Sequence, residues 1–98
     1  MDESKIEKRL KKEIELIGGK ALKFVSPGMS GVPDRIILLP HGRIVFIELK
    51  APGKKPRPIQ IKRIKEIKEL GFDVRVIDSI EDVLKFVKEM KEYDHRKN

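Results

Sequence analysis

The chain has 98 residues, 39% of them apolar and 40% charged, with a net charge of +7. A chain of this length forms one compact domain, residues 1–98, and the absence of cysteine excludes disulfide bonds and thiolate metal sites. No apolar run reaches the roughly 20 residues of a membrane span and no signal-peptide pattern opens the chain, so we expect no membrane partner and a location inside the cell, in the cytoplasm, the nucleoid or a virus-infected cell.

The first third of the chain predicts a helix, a strand and a loop. Apolar residues recur at helical spacing over residues 2–17, and Gly18-Gly19 then ends the helix. Residues 21–25 predict a short strand. The next eight residues, 26–33, include two glycines, two prolines and two serines, which exclude regular structure. This loop leads directly into Asp34, which favours a role at a functional site over a simple connection.

The middle of the chain predicts a β-hairpin. Two apolar runs, residues 35–39 and 43–49, flank a turn that contains Pro40, His41 and Gly42. Because both faces of these strands are apolar, we expect a central position in the sheet, with helices on both faces.

The last part predicts a helix, a strand and a helix. After a proline-rich connector, Pro58 opens a helix that Gly71 ends, residues 72–77 form a strand parallel to the preceding one, and Ser79 caps a final helix. We expect the tail, residues 93–98, to fray. The predicted fold class is therefore α/β, of order α-β-β-β-α-β-α, with a mixed central sheet flanked by helices.

Three polar residues border the hairpin in a pattern that suits phosphodiester hydrolysis. Glu48 and Lys50 are two apart on one strand and share a face, and Asp34 precedes the neighbouring strand. Mg²⁺ prefers oxygen ligands and usually takes one or two carboxylates from a protein. Asp34 and Glu48 meet this requirement, with the Leu49 carbonyl as a further ligand, and Lys50 would orient or deprotonate the attacking water.

Two further residues are candidates for the same site. Glu7, on the first helix, would bind the metal through water, and Gln60, in the first turn of the second helix, would hold the water or Lys50 by hydrogen bonds. Each candidate also has an ordinary structural interpretation: Asp34 as a turn cap, the Glu48–Lys50 pair as an exposed strand pair, Gln60 as a surface residue, and Glu7 as part of a surface Glu-Lys ladder.

The pairing of the two hairpin strands tests the catalytic interpretation. If Leu39 lies opposite Ile44, Asp34 lies opposite Leu49, on the wrong face for Glu48. A three-residue turn of His41 to Arg43 instead places Asp34 opposite Lys50, with Glu48 on the diagonal. The catalytic interpretation therefore predicts a register of even parity, in which the numbers of two opposed residues add up to an even number, or a distortion at Asp34.

The positive charge is concentrated beside this predicted site. Residues 50–68 carry eight basic side chains and one acid, so this segment accounts for the whole net charge. Such a segment is typical of a surface that follows a phosphate backbone, although a solvated helix face is an alternative.

The pair Pro33-Asp34 followed by Glu48-Leu49-Lys50 resembles the PD-(D/E)xK nuclease motif. A longer set of residues, from Glu3 to about Val87, is similar to the VRR-NUC (virus-type replication-repair nuclease) family: Gly18-Gly19, Lys23-Phe24, Ser26-Pro27-Gly28, Gly31-Val32-Pro33-Asp34-Arg35, Phe46 to Lys50, and Gln60. The resemblance implies a restriction-endonuclease-like core, Mg²⁺ or Mn²⁺ dependence and DNA cleavage. It also implies that Asp34 and Glu48 are metal ligands, Lys50 the catalytic lysine and Gln60 the helix glutamine. The family's helix-1 glutamate matches Glu7, with Glu3 as a rival.

Small members of this family resemble structure-specific nucleases of DNA recombination and repair. The resemblance implies branched DNA as substrate, Holliday junctions in particular, and a homodimer. The alternatives are a catalytically inactive basic DNA-binding module, or a nuclease for flap or duplex DNA within a larger complex. We expect these residues to contact DNA: Ser26, Ser30, Arg35, Lys54, Lys55, Arg57, Lys62 and Arg63.

Overall fold

The computed structural model describes residues 2–97, and the side chains as far as Tyr93. In chain order the elements are α1 (Glu3–Leu16), β1 (Lys20–Lys23), β2 (Arg35–Leu39), β3 (Arg43–Leu49), α2 (Pro58–Glu69), β4 (Asp73–Ile77) and α3 (Ile80–Lys97), with a 3-10 turn at Pro40–Gly42. α3 is helical as far as Lys97, and Asn98 lies outside the described residues. The fraying that we expect for residues 93–98 stays a prediction.

The four strands form one mixed sheet in the order β1-β2-β3-β4. β1, β2 and β3 pair antiparallel, whereas β3 and β4, which α2 connects, pair parallel. The order of elements and the mixed sheet confirm the predicted α/β fold class. Over residues 2–97, no helix combines the length and the apolar character required to cross a bilayer.

The hydrophobic core lies between one face of the sheet and the helices α1 and α3. The helical spacing of Ile6, Leu10 and Ile14 places all three on one side of α1, where each is almost completely buried. Burial of one such side chain contributes roughly 1.5–3 kcal/mol. The core cluster consists of Ile6, Leu10, Ile14, Ile37, Leu39, Val45, Ile47, Leu49, Ile77, Val83, Phe86, Val87 and Met90.

The opposite face of the sheet carries α2, so helices lie on both faces as expected, but α2 covers its face only in part. α2 packs along β4, and Gln60 is its one fully buried residue. Away from α2, apolar side chains of this face remain between a third and a half exposed. We call these residues the open sheet face: Leu22, Leu38, Ile44 and Phe72. A single helix of about 10 Å diameter spans only about two strands spaced 4.8 Å apart, which explains the incomplete cover.

The register of the hairpin has the parity that the catalytic interpretation requires, with a turn one residue away from the predicted one. Leu39 lies opposite Arg43, so Pro40–Gly42 form the turn and the same register, continued by one residue, places Asp34 opposite Glu48. Pro40 has no N–H to donate to the ladder, which favours its place in the turn. Gly42 takes the expected left-handed conformation, with φ of 74°, and His41 shares it, with φ of 66°.

Candidate active site

Glu48 lies at the centre of the site. β3 carries its side chain to the face that α2 covers, where the residue is only 3% exposed. One carboxylate oxygen, Oε2, accepts a hydrogen bond from Gln60 Nε2 at 3.0 Å and lies 3.1 Å from Lys50 Nζ. The other oxygen, Oε1, is buried and has no hydrogen-bond partner among the described residues. A buried acceptor without a partner is costly, and a cation at Oε1 would offset this cost.

Asp34 lies opposite Glu48 at the end of the β2–β3 ladder. Its Oδ1 accepts a hydrogen bond from the Leu49 N–H at 3.0 Å, and its main-chain carbonyl accepts one from the Phe24 N–H at 2.9 Å. The side chain is 36% exposed, so solvent and ligands reach it. Directly opposed residues in an antiparallel pair have Cα atoms about 4.5–5.5 Å apart. The two carboxylates are therefore neighbours.

The electrostatics of this pair favour a positive ion between them. Burial raises the pKa of Asp34 above its ordinary value, although the hydrogen bond from Leu49 lowers it. Burial also raises the pKa of Glu48, and the charge of Asp34 raises it further, against the effect of Lys50. Each carboxylate is thus held in a medium that disfavours its negative charge, and a bound cation would relieve this.

Gln60 orients Glu48 through a helix cap. Its Oε1 accepts a hydrogen bond from the Arg57 N–H at 2.8 Å, in the first turn of a helix that opens on Pro58. Because Oε1 faces a main-chain donor, Nε2 must face the carboxylate of Glu48. The side-chain amide therefore has one orientation.

Lys50 follows the last residue of β3 and has a fixed main chain. Its N–H donates to the Ile77 carbonyl at 3.0 Å, which continues the parallel ladder with β4. The side chain is only 16% exposed and directs Nζ to Glu48. The lysine is held where it can serve a reaction at the carboxylate pair.

The donor set fits magnesium better than zinc. No group of three or more His, Cys, Asp or Glu residues with metal-binding geometry occurs within the part of the chain that the structure describes. Mg²⁺ takes one or two protein carboxylates and completes its octahedron with water and substrate phosphate. Asp34 and Glu48 offer carboxylate oxygen atoms of the kind that such an ion binds, and the Leu49 carbonyl stays a ligand predicted from the sequence.

The two candidate glutamates of α1, Glu7 and Glu3, occupy different positions. α1 packs on the face of the sheet opposite Glu48, and Glu7 is ion-paired with Arg35. Glu7, which we expected to bind the metal through water, therefore has its carboxylate engaged by the guanidinium of Arg35. The charge of Glu3, the rival candidate, contributes to the raised pKa of Glu48.

Some of the residues expected to contact DNA are exposed, and others are partly or largely buried. Ser30 and the following basic residues of the connector and α2 are exposed: Lys54, Lys55, Arg57 and Lys62. Ser26 is half-buried. Arg35 is different, because it is 9% exposed and faces α1, so its guanidinium is not presented to DNA in this structure. The alternation of a strand, which directs Arg35 and Asp34 to opposite faces, would have signalled this.

Arg63 holds the loop that precedes Asp34. Its Nε donates to the Ser30 carbonyl at 2.9 Å, and its NH1 donates to Glu66 at 3.0 Å. The main role visible in the structure is therefore to fasten this loop to α2, a contact between residues 33 positions apart that no sequence pattern predicts.

Gly31 provides a second attachment of the loop to α2. Its φ is +84°, and a Cβ atom there would lie 2.8 Å from Ile59 Cγ1 and 2.9 Å from the Ile59 carbonyl oxygen. We expect Gly31→Ala to lower the free energy of unfolding by about 1–3 kcal/mol, through backbone strain and this overlap, as measured by urea denaturation. The matched control is Gly28→Ala in the same loop, where the added Cβ meets nothing within 4 Å. Equal stability of the two variants would contradict the close approach.

The fold and this site together define a nuclease domain of the PD-(D/E)xK type: an α/β core with an aspartate at one strand and a Glu-x-Lys at the end of the next. The chain belongs to the VRR-NUC family, because the family model for the VRR-NUC domain matches residues 2–81. The resemblance noted from the sequence is thereby confirmed.

Relatives and solved structures agree with this assignment. The chain is 53% identical over 77 residues to "Putative nuclease p44" of Acyrthosiphon pisum secondary endosymbiont phage 1, over 79% of this chain and 83% of that protein. A solved structure titled "VRR_NUC domain" has a TM-score of 0.83 and 33% identity, over 88% of this chain and 94% of that one. A second, "VRR_NUC domain protein", has a TM-score of 0.66 and 17% identity over 90% and 86%, and shows a shared fold.

Proposed function

We propose that this protein is a magnesium-dependent endonuclease that hydrolyses phosphodiester bonds in branched DNA, with Holliday junctions as the principal substrate. The observation that carries this proposal is the convergence of Asp34, Glu48 and Lys50 at the end of the hairpin, where Glu48 Oε1 is buried and has no partner among the described residues. An isolated buried acceptor of this kind has no structural benefit, whereas it is useful as a metal ligand.

Each residue of the site has a defined task in this proposal. Asp34, Glu48 Oε1 and the Leu49 carbonyl would hold the ion, which would supply charge neutralisation at the scissile phosphate and a more acidic water. Gln60 fixes the carboxylate of Glu48, so that Oε1 keeps its direction. Lys50 Nζ, next to Glu48, orients the attacking water and compensates the negative charge that grows in the transition state. Mn²⁺ should replace Mg²⁺, since it accepts the same oxygen ligands.

The exposed basic side chains that follow Lys50 bind the DNA substrate in this proposal. Lys54, Lys55 and Arg57 lie on the connector between β3 and α2, directly after the site, and contact the phosphate backbone. Preference for a branch point is supported by the family resemblance found in the sequence.

A second copy of the chain covers the open sheet face in this proposal. The four residues of the open sheet face are apolar, so this face has no charge pattern that would select a partner of opposite charge. In an isologous dimer the same face of two copies packs together, and an apolar face can do this. A four-way junction offers two equivalent strands, and a two-fold dimer presents two sites to them. We expect a dimer in sedimentation equilibrium at micromolar concentration, and a monomer for Ile44→Glu. A monomeric wild type, or a dimer that Ile44→Glu leaves intact, would contradict this surface.

The experiment that tests the function is a cleavage assay on three labelled DNA substrates of shared sequence: a four-way junction, a flap and a linear duplex. We expect the junction to be cut fastest with Mg²⁺ or Mn²⁺, no cleavage in EDTA, and no cleavage by Asp34→Asn. If wild type and Asp34→Asn both bind the junction and neither cuts any substrate, the protein is a DNA-binding module and the enzymatic proposal fails. Preferential cleavage of flap or duplex would instead support a nuclease that works within a larger complex.

A further inference from the structure

Arg35 is a buried arginine at the edge of the active site. Its side chain is only 11% exposed, and its guanidinium joins two elements: NH1 donates to the Asp34 carbonyl at 2.8 Å, and NH2 donates to the Glu7 carboxylate of α1. A buried guanidinium destabilises a fold unless its charge and its N–H groups are matched. Glu7 supplies the charge and the Asp34 carbonyl supplies a second acceptor.

The contacts of Arg35 converge on the residue whose position matters most. Asp34 main-chain oxygen accepts both from Arg35 and from the Phe24 N–H, and the carboxylate oxygen Oδ2 lies 3.7 Å from Arg35 NH1. The remaining carboxylate oxygen accepts from the Leu49 N–H. Asp34 immediately precedes β2, where the paired residues of β2 and β3 end, so these contacts replace the ladder hydrogen bonds that a residue inside the strand would have.

Glu7 is placed to act on Asp34 but not beside the carboxylate pair. α1 packs on the face of the sheet that carries Ile37, Val45 and Ile47, and Glu48 projects from the other face. The link from Glu7 to the site that the structure shows is therefore its ion pair with Arg35.

We propose that Glu7 and Arg35 form a positioning pair: Glu7 holds the guanidinium of Arg35 against Asp34, and thereby fixes the direction of the Asp34 carboxylate. Neither residue touches the metal or the DNA. This inference rests on the proposed function, since the direction of Asp34 affects the reaction only if Asp34 binds the ion. It assigns to both residues a role other than the metal and DNA contacts expected from the sequence, because outer partners of metal ligands set the ligand geometry.

The test is a double-mutant cycle with Glu7→Gln, Arg35→Met and the double variant. Methionine keeps most of the buried volume of Arg35 and removes its donors. We expect each single change to slow single-turnover junction cleavage by about tenfold at saturating DNA, and the double variant to be no slower than the slower single one. We also expect the Leu49 amide, which donates to Asp34 Oδ1, to exchange its hydrogen about tenfold faster in each variant.

The control is Glu13→Gln, which breaks the Arg9–Glu13 ion pair on the same helix, at 3.2 Å and away from Asp34. It should leave cleavage and Leu49 exchange within about twofold of wild type. Multiplicative effects in the double variant would overturn the proposal. So would a Glu7→Gln that weakens Mn²⁺ binding in calorimetry as much as Asp34→Asn does while Leu49 exchange is unchanged, because Glu7 would then be a direct ligand.

Two other outcomes are separable. If wild type cuts no DNA, the proposed function fails, and the positioning pair is then judged by Leu49 exchange and Mn²⁺ affinity. If Arg35→Met does not fold, Glu7→Gln alone must still accelerate Leu49 exchange and weaken Mn²⁺ binding less than Asp34→Asn does.

Discussion

Glu48→Gln should bind Mg²⁺ more weakly by at least about a hundredfold and should cut junction DNA about a thousandfold more slowly than wild type. Loss of a residue that only hydrogen-bonds to a metal ligand lowers metal affinity by up to about a hundredfold, and loss of a direct ligand should lower it more. A metal ion provides several kcal/mol of transition-state stabilisation, and each ~1.4 kcal/mol corresponds to about tenfold in rate. Calorimetry with Mg²⁺ and single-turnover cleavage measure the two quantities.

The metal-free Glu48→Gln variant should be no less stable than wild type at pH 7. Burial and Asp34 raise the pKa of Glu48 in the folded protein. The folded state therefore holds this proton more tightly than the unfolded chain does, so the stability that Glu48 contributes is present below its ordinary pKa and is lost as the pH rises through the raised value. Glu48→Gln has no charge at this position, so it should not lose this stability as the pH rises. Thermal unfolding in EDTA at pH 4 and pH 7 tests the direction of the effect, since only wild type should lose the contribution of Glu48 between these two pH values.

Glu81→Gln is the matched control, because Glu81 makes an exposed ion pair with Lys85 at 3.2 Å on α3. Its Mg²⁺ affinity, cleavage rate and Tm should stay close to wild type. A Glu48→Gln protein that cuts at the wild-type rate would remove Glu48 from the ligand set. A large fall in Tm would mean that the carboxylate has a structural role.

Lys50→Ala should keep metal binding within a few-fold and lose cleavage by about 10²–10³, the usual cost of removing one donor that stabilises transition-state charge. Nζ lies 3.1 Å from Glu48 Oε2, the oxygen that Gln60 also contacts, and not at the unpaired Oε1. In the proposed site, the ion and the lysine would therefore use different oxygens of one carboxylate. Calorimetry and single-turnover rates at saturating metal separate the two effects.

Lys54→Ala serves as the comparison, since Lys54 is exposed on the connector four residues further on. It should raise the DNA concentration needed for half-maximal rate and reduce the salt dependence of binding, with little effect on the saturated rate. If Lys50→Ala behaves in this same way, the lysine is a phosphate contact and not a participant in the chemistry.

The sequence predicted those parts of the fold that depend on local patterns. The bounds of β2 and β3 follow from two apolar runs around Pro40 and Gly42, and the start of α2 follows from Pro58. The parity of the register was also predictable, because it was deduced from the condition that Asp34 and Glu48 share a face.

The sequence did not predict contacts between distant residues. Glu7 and Arg35 are 28 positions apart, and the alternation of residues along a strand does not say which charged side chain of a helix will meet a given arginine. Likewise, the apolar pattern of β3 predicts burial on both faces, but the cover of one face depends on how far α2 reaches across the sheet, which is a matter of packing and not of periodicity.

The turn at Pro40–Gly42 has a consequence for how the chain can vary. Exposed hairpin turns normally tolerate insertion or deletion of a residue. Here the insertion or deletion of one residue, accommodated by sliding β3 along β2, would place Glu48 on the opposite face of the sheet from Asp34. The turn would have this effect although it lies about 17 Å along β3 from Glu48. In the proposed mechanism, the length of this loop is therefore as much a condition of catalysis as the identity of the two acids. We expect changes in its length to be far rarer among active relatives than changes in its composition.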